Sequence, residues 1–297
     1  MDTIANPPRS TALITGASSG VGYELTVRLL REGWDVVAWM RSEVPDHDPV
    51  VAAARASGRL RSDRVDLADP VGLAAALDRV RSRERSIDLV VNNAALSLAQ
   101  AQPGPSGRDV HFDVNVLSPY AITTALLPCV AASEHKTILN VASNALLSVK
   151  QFSLAELVHP TRFKKLFGPY AASKLALALW THELARALPP DVELRSVCPG
   201  PSDTPMTRGP GMPRWLGMLV PLPLLFPHPR RGADRLHAAG LGAHRGERGV
   251  FIHRDRVTPL PWLAQAPAVL AAVRDIHARS FPVRPGQDVR PRDSDPG

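Results

Sequence analysis

The segment TALITGASSGVGYELTVRLLREG, residues 11–33, decides the fold of this chain. It opens with a short apolar, β-prone run (11–16) and passes through a glycine-rich turn. It then continues with apolar residues at helical spacing (20–33) and closes on a glycine that suits a helix C-terminus. The order of strand, glycine turn and helix indicates the first unit of a parallel α/β sheet.

The turn within this segment places three glycines between the strand and the helix. Gly16 permits a tight turn, Gly20 lets the backbone approach a diphosphate, and Gly22 lets the helix pack closely on the sheet. The helix N-terminus adds free N–H groups and a partial positive charge for an anion. A glycine trio alone is common, but with a strand before it and a helix after it the turn indicates dinucleotide binding.

Strand and helix patterns alternate along the rest of the chain. Further strands are predicted over 35–40, 60–67, 87–94, 136–143, 192–200 and 249–254. Helices are predicted over 48–58, over 69–83 with Asp69 as N-cap and Pro70 in first position, over 111–130 and over 170–188. Near-continuously apolar strands are typical of a parallel sheet covered on both faces. The fold class predicted is therefore α/β, a single Rossmann-type doubly wound parallel sheet of about seven strands with helices on both faces.

No break between folding units is visible. We expect residues 1–281 to form one dinucleotide-binding and catalytic domain, and the proline-rich, charged residues 282–297 to be disordered. The segment 213–231 is apolar but interrupted by prolines, and too short to span a bilayer. It is either a packed irregular lobe or a wall over the ligand site, and we assign residues 205–235 to a substrate-lid lobe.

The composition excludes several classes of function. The net charge of +7 comes from arginines that are scattered and not gathered with aromatic residues, so no nucleic-acid partner is expected. Cys129 and Cys198 fit no disulfide framework, and the N-terminus lacks a secretory signal, so we expect a cytoplasmic protein with no transmembrane segment. His159 and His182 lack further ligands at metal-binding spacing, so no metal is expected.

The end of the second predicted strand bears on the choice of cofactor. NAD binders usually place an acid there for the ribose hydroxyls, whereas this chain has Met40 and Arg41. Arg41 suits a charge-assisted pair with a 2′-phosphate, although a solvated surface arginine is the alternative. The sequence therefore favours NADP(H) over NAD(H).

A tyrosine and a lysine lie four residues apart near the start of the long helix predicted over 170–188. The chain has only three tyrosines and five lysines, and Tyr170 and Lys174 share one helix face. A nearby ammonium group favours phenolate and lowers a tyrosine pKa from its usual value of about 10. We therefore expect Lys174 to lower the pKa of Tyr170 so that its hydroxyl exchanges a proton with a substrate oxygen.

With these residues in place, the chain resembles the short-chain dehydrogenase/reductase family in its compact single-domain form. The resemblance covers residues 9–206 and rests on ordered motifs: TGASSGVG (15–22), DLAD (66–69), NNAA (92–95), NVLSP (115–119), NVAS (140–143), YAASK (170–174) and CPGPSDTPM (198–206).

The resemblance implies roles at the matching positions. Tyr170 is the expected general acid/base, Lys174 contacts the nicotinamide ribose, Ser143 bonds the substrate oxygen, and Asn115 anchors a water in a proton relay to Lys174. The implied cofactor-binding residues are Gly16, Ser18, Ser19, Gly20, Val21, Gly22, Arg41, Asp66, Leu67, Asn93, Ala94, Tyr170, Lys174, Pro199, Gly200 and Thr204.

The chain departs from the family pattern mainly between Ser143 and Tyr170, which are 27 residues apart. The insertion 146–167 fills that gap and resembles insertions of retinol-dehydrogenase-like members, which points toward a lipophilic substrate. We expect an NADP(H)-dependent oxidoreductase acting on a small-molecule carbonyl or secondary alcohol, in a possible homo-oligomer. The alternatives are an NAD-dependent alcohol dehydrogenase, a non-catalytic cofactor-binding regulator, and a sugar epimerase or dehydratase of the larger relatives.

Overall fold

The computed structural model describes residues 9–281, and the tail predicted over 282–297 lies outside them. The described strands are β1 (Thr11–Thr15), β2 (Asp35–Met40), β3 (Leu60–Arg64), β4 (Leu89–Asn92), β5 (Thr137–Val141), β6 (Glu193–Cys198), β7 (Phe251–His253) and β8 (Arg256–Val257). They form one sheet in the order β3-β2-β1-β4-β5-β6-β7-β8.

Seven of these strands are parallel and correspond to the seven predicted from the sequence. The additional strand, β8, pairs antiparallel with β7 at the edge of the sheet. The predicted third strand, 60–67, was too long, because β3 ends at Arg64. The strand order reverses between β1 and β4, and such a switch point leaves a crevice at the carboxyl ends of the strands.

The helices of the described residues cover both faces of the sheet. They are α1 (Gly20–Arg31), α2 (Pro49–Ala56), α3 (Pro70–Arg83), α4 (Val110–Phe112), α5 (Ser118–Ala131), α6 (Leu154–Val158), α7 (Pro169–Ala187), α8 (Arg214–Gly217), α9 (Pro229–Leu241) and α10 (Ala266–Ser280). Helices α1, α2 and α9 contribute to the core on one face, and α3, α5, α7 and α10 contribute to the core on the other.

The side chains of β1 alternate between the two faces of the sheet, which shows why helices must cover both faces. Ala12 and Ile14 belong to the core beneath α1 and α9, whereas Leu13 belongs to the core beneath α3, α5 and α7. All three side chains are fully buried. Because successive strand residues point to opposite faces, a strand that is apolar throughout requires helices on both sides.

Local signals placed two helix ends correctly. Asp69 caps α3 by accepting a hydrogen bond from the Val71 N–H at 3.0 Å, and Pro70 is its first residue. Gly33 follows α1 with φ of +90° and donates its N–H to the Leu30 carbonyl oxygen. A left-handed residue at this point closes the helix, which is a conformation that glycine adopts without strain.

The helix predicted over 111–130 is helical throughout but not uniformly α-helical. A π-helical turn, Asp113–Leu117, lies between α4 and α5. The stretch Val110–Ala131 is long and apolar enough to cross a membrane, with mean hydropathy 1.5, but 72% of it is buried within the protein. A helix that is buried to this extent is typical of the core of a protein.

Candidate active site

The glycine turn lies at the carboxyl end of β1, on the crevice. Gly16 and Gly20 have φ of +70° and +57°, a region that favours glycine. A Cβ atom on Gly22 would lie 2.3 Å from the Gly16 carbonyl oxygen, so no side chain fits there. Ser19 is the N-cap of α1 but makes no side-chain capping hydrogen bond. The first turn of α1 is therefore open to an anionic ligand.

Residues after β4 hold this turn in place. The Asn93 side chain donates to the carbonyl oxygens of Thr15 (3.0 Å) and Gly16 (3.3 Å). The Ala94 N–H donates to Thr15 Oγ1 at 2.9 Å. Asn93 and Ala94 are thus in direct contact with the glycine turn, and the amide of Asn93 is occupied in fixing it.

The adenine end of the predicted site lies at the carboxyl ends of β2 and β3. Arg41 is exposed and makes no hydrogen bond or ion pair with any residue in the range 9–281. Its neighbour Ser42 donates a hydrogen bond to Ser18 Oγ at 3.2 Å, which joins the end of β2 to the glycine turn. Sequence reasoning missed Ser42, because only the packing of β2 beside β1 brings it there.

Asp66 and Leu67 follow β3. Asp66 is exposed, and its carboxylate accepts a hydrogen bond from the Ala68 N–H at 2.9 Å. Leu67 is buried, and its carbonyl oxygen accepts a hydrogen bond from Ser118 Oγ. The Asp66 carboxylate is thus held at the rim while the Leu67 side chain is part of the core.

The Pro-Gly segment after β6 closes the opposite side of the crevice. Gly200 has φ of +85°, and the Arg235 side chain donates to the Pro199 carbonyl oxygen at 3.1 Å. A Cβ atom on Gly20 would lie 2.9 Å from Thr204 Cγ2. Thr204 therefore packs directly against the glycine turn, although nearly two hundred residues separate the two in sequence.

Three of the four predicted catalytic side chains meet at the end of β5. Tyr170 lies in the first turn of α7, and its side chain is beside that of Ser143, two residues past β5. Lys174, one helical turn after Tyr170, donates from Nζ to the Val141 carbonyl oxygen at 2.7 Å. Tyr170 and Lys174 are 8% and 2% exposed, so this polar cluster is almost withdrawn from water.

Burial controls how the two groups ionise. It raises the pKa of Tyr170 to about 12, although the neighbouring Ser143 hydroxyl acts to lower it. Burial also lowers the pKa of Lys174 to about 7. The prediction that Lys174 lowers the pKa of Tyr170 is therefore wrong for the structure described, in which desolvation dominates and the lysine ammonium is directed at a backbone carbonyl. At neutral pH the phenol is protonated.

Asn115 lies in the π-helical turn, fully buried. Its side chain accepts from the Leu96 N–H and donates to the Leu96 carbonyl oxygen, both at 3.0 Å. It also donates to Ser173 Oγ at 3.0 Å, beside Lys174. Asn115 thus ties the loop after β4 to α7. A π turn is frequent at functional sites because it redirects a side chain out of the α-helical register.

Cys198 is a member of this cluster to which sequence reasoning gave no role. It ends β6, is buried, and its Sγ accepts a hydrogen bond from the Asn144 N–H at 3.2 Å. Burial raises the pKa of this thiol, so it stays protonated at neutral pH. The sequence signal that could have indicated a place in the site is its position as the first residue of the CPG motif.

Two cavities lie near these residues, and neither is lined by Tyr170 or Ser143. One, of about 780 Å³, lies behind the first turn of α7 and is lined by insertion residues together with Pro169 and Ala172. The other, of about 680 Å³, lies between Thr204 and the segment 220–229. Within residues 9–281 no group of three histidine, cysteine, aspartate or glutamate side chains is arranged to hold a metal ion.

Comparison with known proteins agrees with this geometry. Residues 10–156 match the family model described as short chain dehydrogenase. Mouse polyprenol dehydrogenase is 32% identical over 274 residues, which cover 86% of this chain and 78% of that protein. The chain belongs to the short-chain dehydrogenase/reductase family. The predicted family and fold class are therefore confirmed.

Two further proteins are similar in sequence to this short-chain dehydrogenase. Mouse retinol dehydrogenase 13 is 29% identical over 213 residues, covering 70% of this chain. The match spans only 63% of that relative's length. A solved short-chain dehydrogenase from Burkholderia cenocepacia, in complex with NADP, is 26% identical with a TM-score of 0.61, covering 83% of this chain and 97% of its own.

Proposed function

We propose that this short-chain dehydrogenase is an NADP(H)-dependent oxidoreductase that interconverts a carbonyl group and a secondary alcohol of a lipophilic small molecule. The observation that carries the proposal is that Tyr170 and Ser143 meet at the end of β5, with Lys174 fixed one helical turn along α7. A regulator that only binds a cofactor has no need of this cluster.

The residues around the glycine turn fit a dinucleotide. The first turn of α1 and the glycine backbone would hold the diphosphate, Thr204 and Gly200 would close on it, and Lys174 would contact the nicotinamide ribose. Arg41, exposed and without a partner among the described residues, would pair with a 2′-phosphate. The Burkholderia relative was solved in complex with NADP, and the choice of NADP over NAD for this chain rests on Arg41.

When bound, the nicotinamide supplies or accepts the hydride. In the reductive direction Tyr170 donates its phenolic proton to the substrate oxygen, and Ser143 donates a hydrogen bond to that oxygen. Since burial holds the pKa of Tyr170 at about 12, the donor is fully protonated at neutral pH. In the oxidative direction the same oxygen, as phenolate, accepts the proton of the alcohol.

A lipophilic substrate is supported by the side chains around Tyr170. Val149 and Leu166 from the insertion, and Met206 from the substrate-lid lobe, pack against Tyr170 and its neighbours. Retinol dehydrogenase and polyprenol dehydrogenase are the names of two relatives of this chain. We propose that residues 205–235 form the wall of the substrate site that begins at Met206.

The test is a screen of aldehydes, ketones and alcohols with NADPH, NADH and their oxidised forms, followed by nicotinamide absorbance. We expect turnover of apolar carbonyl compounds with NADPH, and loss of that turnover in Tyr170→Phe. No turnover of any compound despite tight NADPH binding would favour the non-catalytic alternative. Preference for a small hydrophilic carbonyl compound would reject the proposed substrate class.

A further inference from the structure

The segment 213–231, here called the apolar lobe, exposes a continuous run of apolar side chains. Every residue from Pro221 to Leu225 is exposed, and Leu224 reaches 92% exposure. Met218 and Trp215 on the same lobe are 74% and 58% exposed. A run of this length on a soluble surface is costly in water and marks a contact surface.

The exposed tip of this lobe is held in shape by the protein. Val220 and Phe226, at either end of the run, are buried. The Leu222 N–H donates to the Leu219 carbonyl oxygen at 3.0 Å, and the Phe226 N–H donates to the Leu222 carbonyl oxygen at 2.9 Å. Because its flanks are anchored and its backbone is hydrogen-bonded, the tip presents its leucines outward in a fixed geometry.

The charged side chains of the lobe itself have one sign. From Thr204 to Ala233 the sequence contains no aspartate or glutamate. Arg214, Arg230 and Arg231 are exposed, and their side chains form no ion pair or hydrogen bond with other residues of the described range. The lobe is thus apolar and carries three arginines that form no ion pair with the described residues, while Asp203, which lines a cavity beside the tip, is paired with Arg208.

We propose that the apolar lobe is a docking surface for an anionic lipid bilayer. Leucine and methionine side chains enter the boundary between headgroups and acyl chains, and a tryptophan beside them suits the interface. Arginines near an anionic membrane each contribute about 1 kcal/mol of attraction. The leucines, the tryptophan and the unpaired arginines are on one segment, which matches the two signals that stable peripheral binding needs.

The residues just before the lobe connect the proposed docking surface with the catalytic cluster. Met206, a few residues before the lobe, packs against the cluster formed by Ala145, Tyr170 and Ala171, and Thr204 lies against the glycine turn. A substrate dissolved in the membrane would therefore enter beside Tyr170 without crossing water. This consequence rests on the proposed function, whereas the docking itself does not.

Vesicle sedimentation of the full-length protein tests the docking. We use vesicles of phosphatidylcholine alone and vesicles in which about a quarter of the lipid is phosphatidylserine. We expect binding to the anionic vesicles that weakens with added salt, and a tenfold or greater loss of partitioning in the double variant Leu222→Ser/Leu224→Ser. Arg230→Gln/Arg231→Gln should lose roughly tenfold or more, since each arginine contributes about 1 kcal/mol.

The matched control is Val71→Ser/Val257→Ser, which removes two apolar side chains that are 72% and 49% exposed elsewhere on the surface. It should sediment like the wild type. Trp215 gives a second measurement, because its emission should shift to the blue on binding and be quenched by brominated lipid, and Trp215→Phe should lose that signal. Turnover of a water-soluble ketone, if the proposed function holds, should be the same in Val71→Ser/Val257→Ser as in the wild type.

Three results overturn the proposal. The first is wild-type protein that does not sediment with anionic vesicles at low salt. The second is binding that the Leu222→Ser/Leu224→Ser variant retains. The third is a wild-type dimer in solution that the same variant converts to monomer without any vesicle binding, which would assign the lobe to a second copy of this chain.

Discussion

Lys174 donates a hydrogen bond from Nζ to the carbonyl oxygen of Val141 at 2.7 Å. This contact fixes the lysine to the last residue of β5, two residues before Ser143. Ser143 and Lys174 are therefore positioned by one strand end, while Tyr170 reaches the same point from the first turn of α7. The ammonium group is directed at a backbone carbonyl, and its ionisation follows from its burial.

The pKa of Lys174 predicts how stability depends on pH. The pKa is about 7 in the folded protein and 10.5 ordinarily, so between these values the unfolded chain carries a proton that the folded chain lacks. The free energy of unfolding should then rise with pH across this window, by about 1.4 kcal/mol per pH unit. Lys174→Met lacks this contribution.

Denaturant unfolding of the wild type and Lys174→Met between pH 7.5 and 9.5 measures this effect. The wild type should gain stability relative to the variant as pH rises, and the difference between the two proteins removes the titration of other groups. A difference independent of pH would mean that Lys174 is charged in the folded protein at neutral pH.

Tyr170→Phe should separate chemistry from binding. The change removes the proton donor and leaves the glycine turn untouched, so turnover should fall about a hundred- to ten-thousand-fold while NADPH affinity stays the same. Steady-state rates and fluorescence titration of NADPH measure the two effects. Tyr120→Phe, at a ring in the core against Trp180, is the matched control and should keep turnover. Near-full activity in Tyr170→Phe would reject Tyr170 as the acid.

Arg41→Ala should distinguish the two cofactors. Loss of a charge-assisted bond to the 2′-phosphate should weaken NADPH binding by about 1.5–3 kcal/mol and leave NADH binding nearly unchanged. The control is Arg274→Ala, which removes an exposed arginine of α10 that is not among the predicted cofactor-binding residues. Isothermal titration with both cofactors gives the comparison. Equal losses for NADPH and NADH would remove the basis for the NADP assignment.

Gly22→Ala should damage the glycine turn. The added Cβ would meet the Gly16 carbonyl oxygen at 2.3 Å, so α1 must move away from the turn. We expect a destabilisation of about 1–3 kcal/mol, typical of overpacking, together with a large loss of affinity for both cofactors. Gly217→Ala, whose added Cβ would have its nearest neighbour at 3.9 Å, is the control for thermal unfolding and cofactor titration. Unchanged cofactor affinity in Gly22→Ala would contradict the assigned turn.

Much of the fold could be predicted because its signals are local. The apolar strands, the Asp69 cap with Pro70, and Gly33 after α1 each depend on residues a few positions apart. The glycine turn was recognisable for the same reason. The π turn at 113–117 was not, because its hydrogen bonds shift by one residue within a helix whose apolar pattern hardly changes.

The sequence by itself determined which groups are available: a tyrosine and lysine on one helix face, a serine after a strand, and an arginine where an acid is usual. Only the tertiary structure decided how they behave. It buried Tyr170 and Lys174, which raises the pKa of Tyr170 against the expected direction and lowers the pKa of Lys174. It also brought Ser42 to Ser18 and Cys198 to Asn144. Desolvation and contacts between strands depend on every element packed around a group, and that packing is not encoded in the residues next to it in sequence.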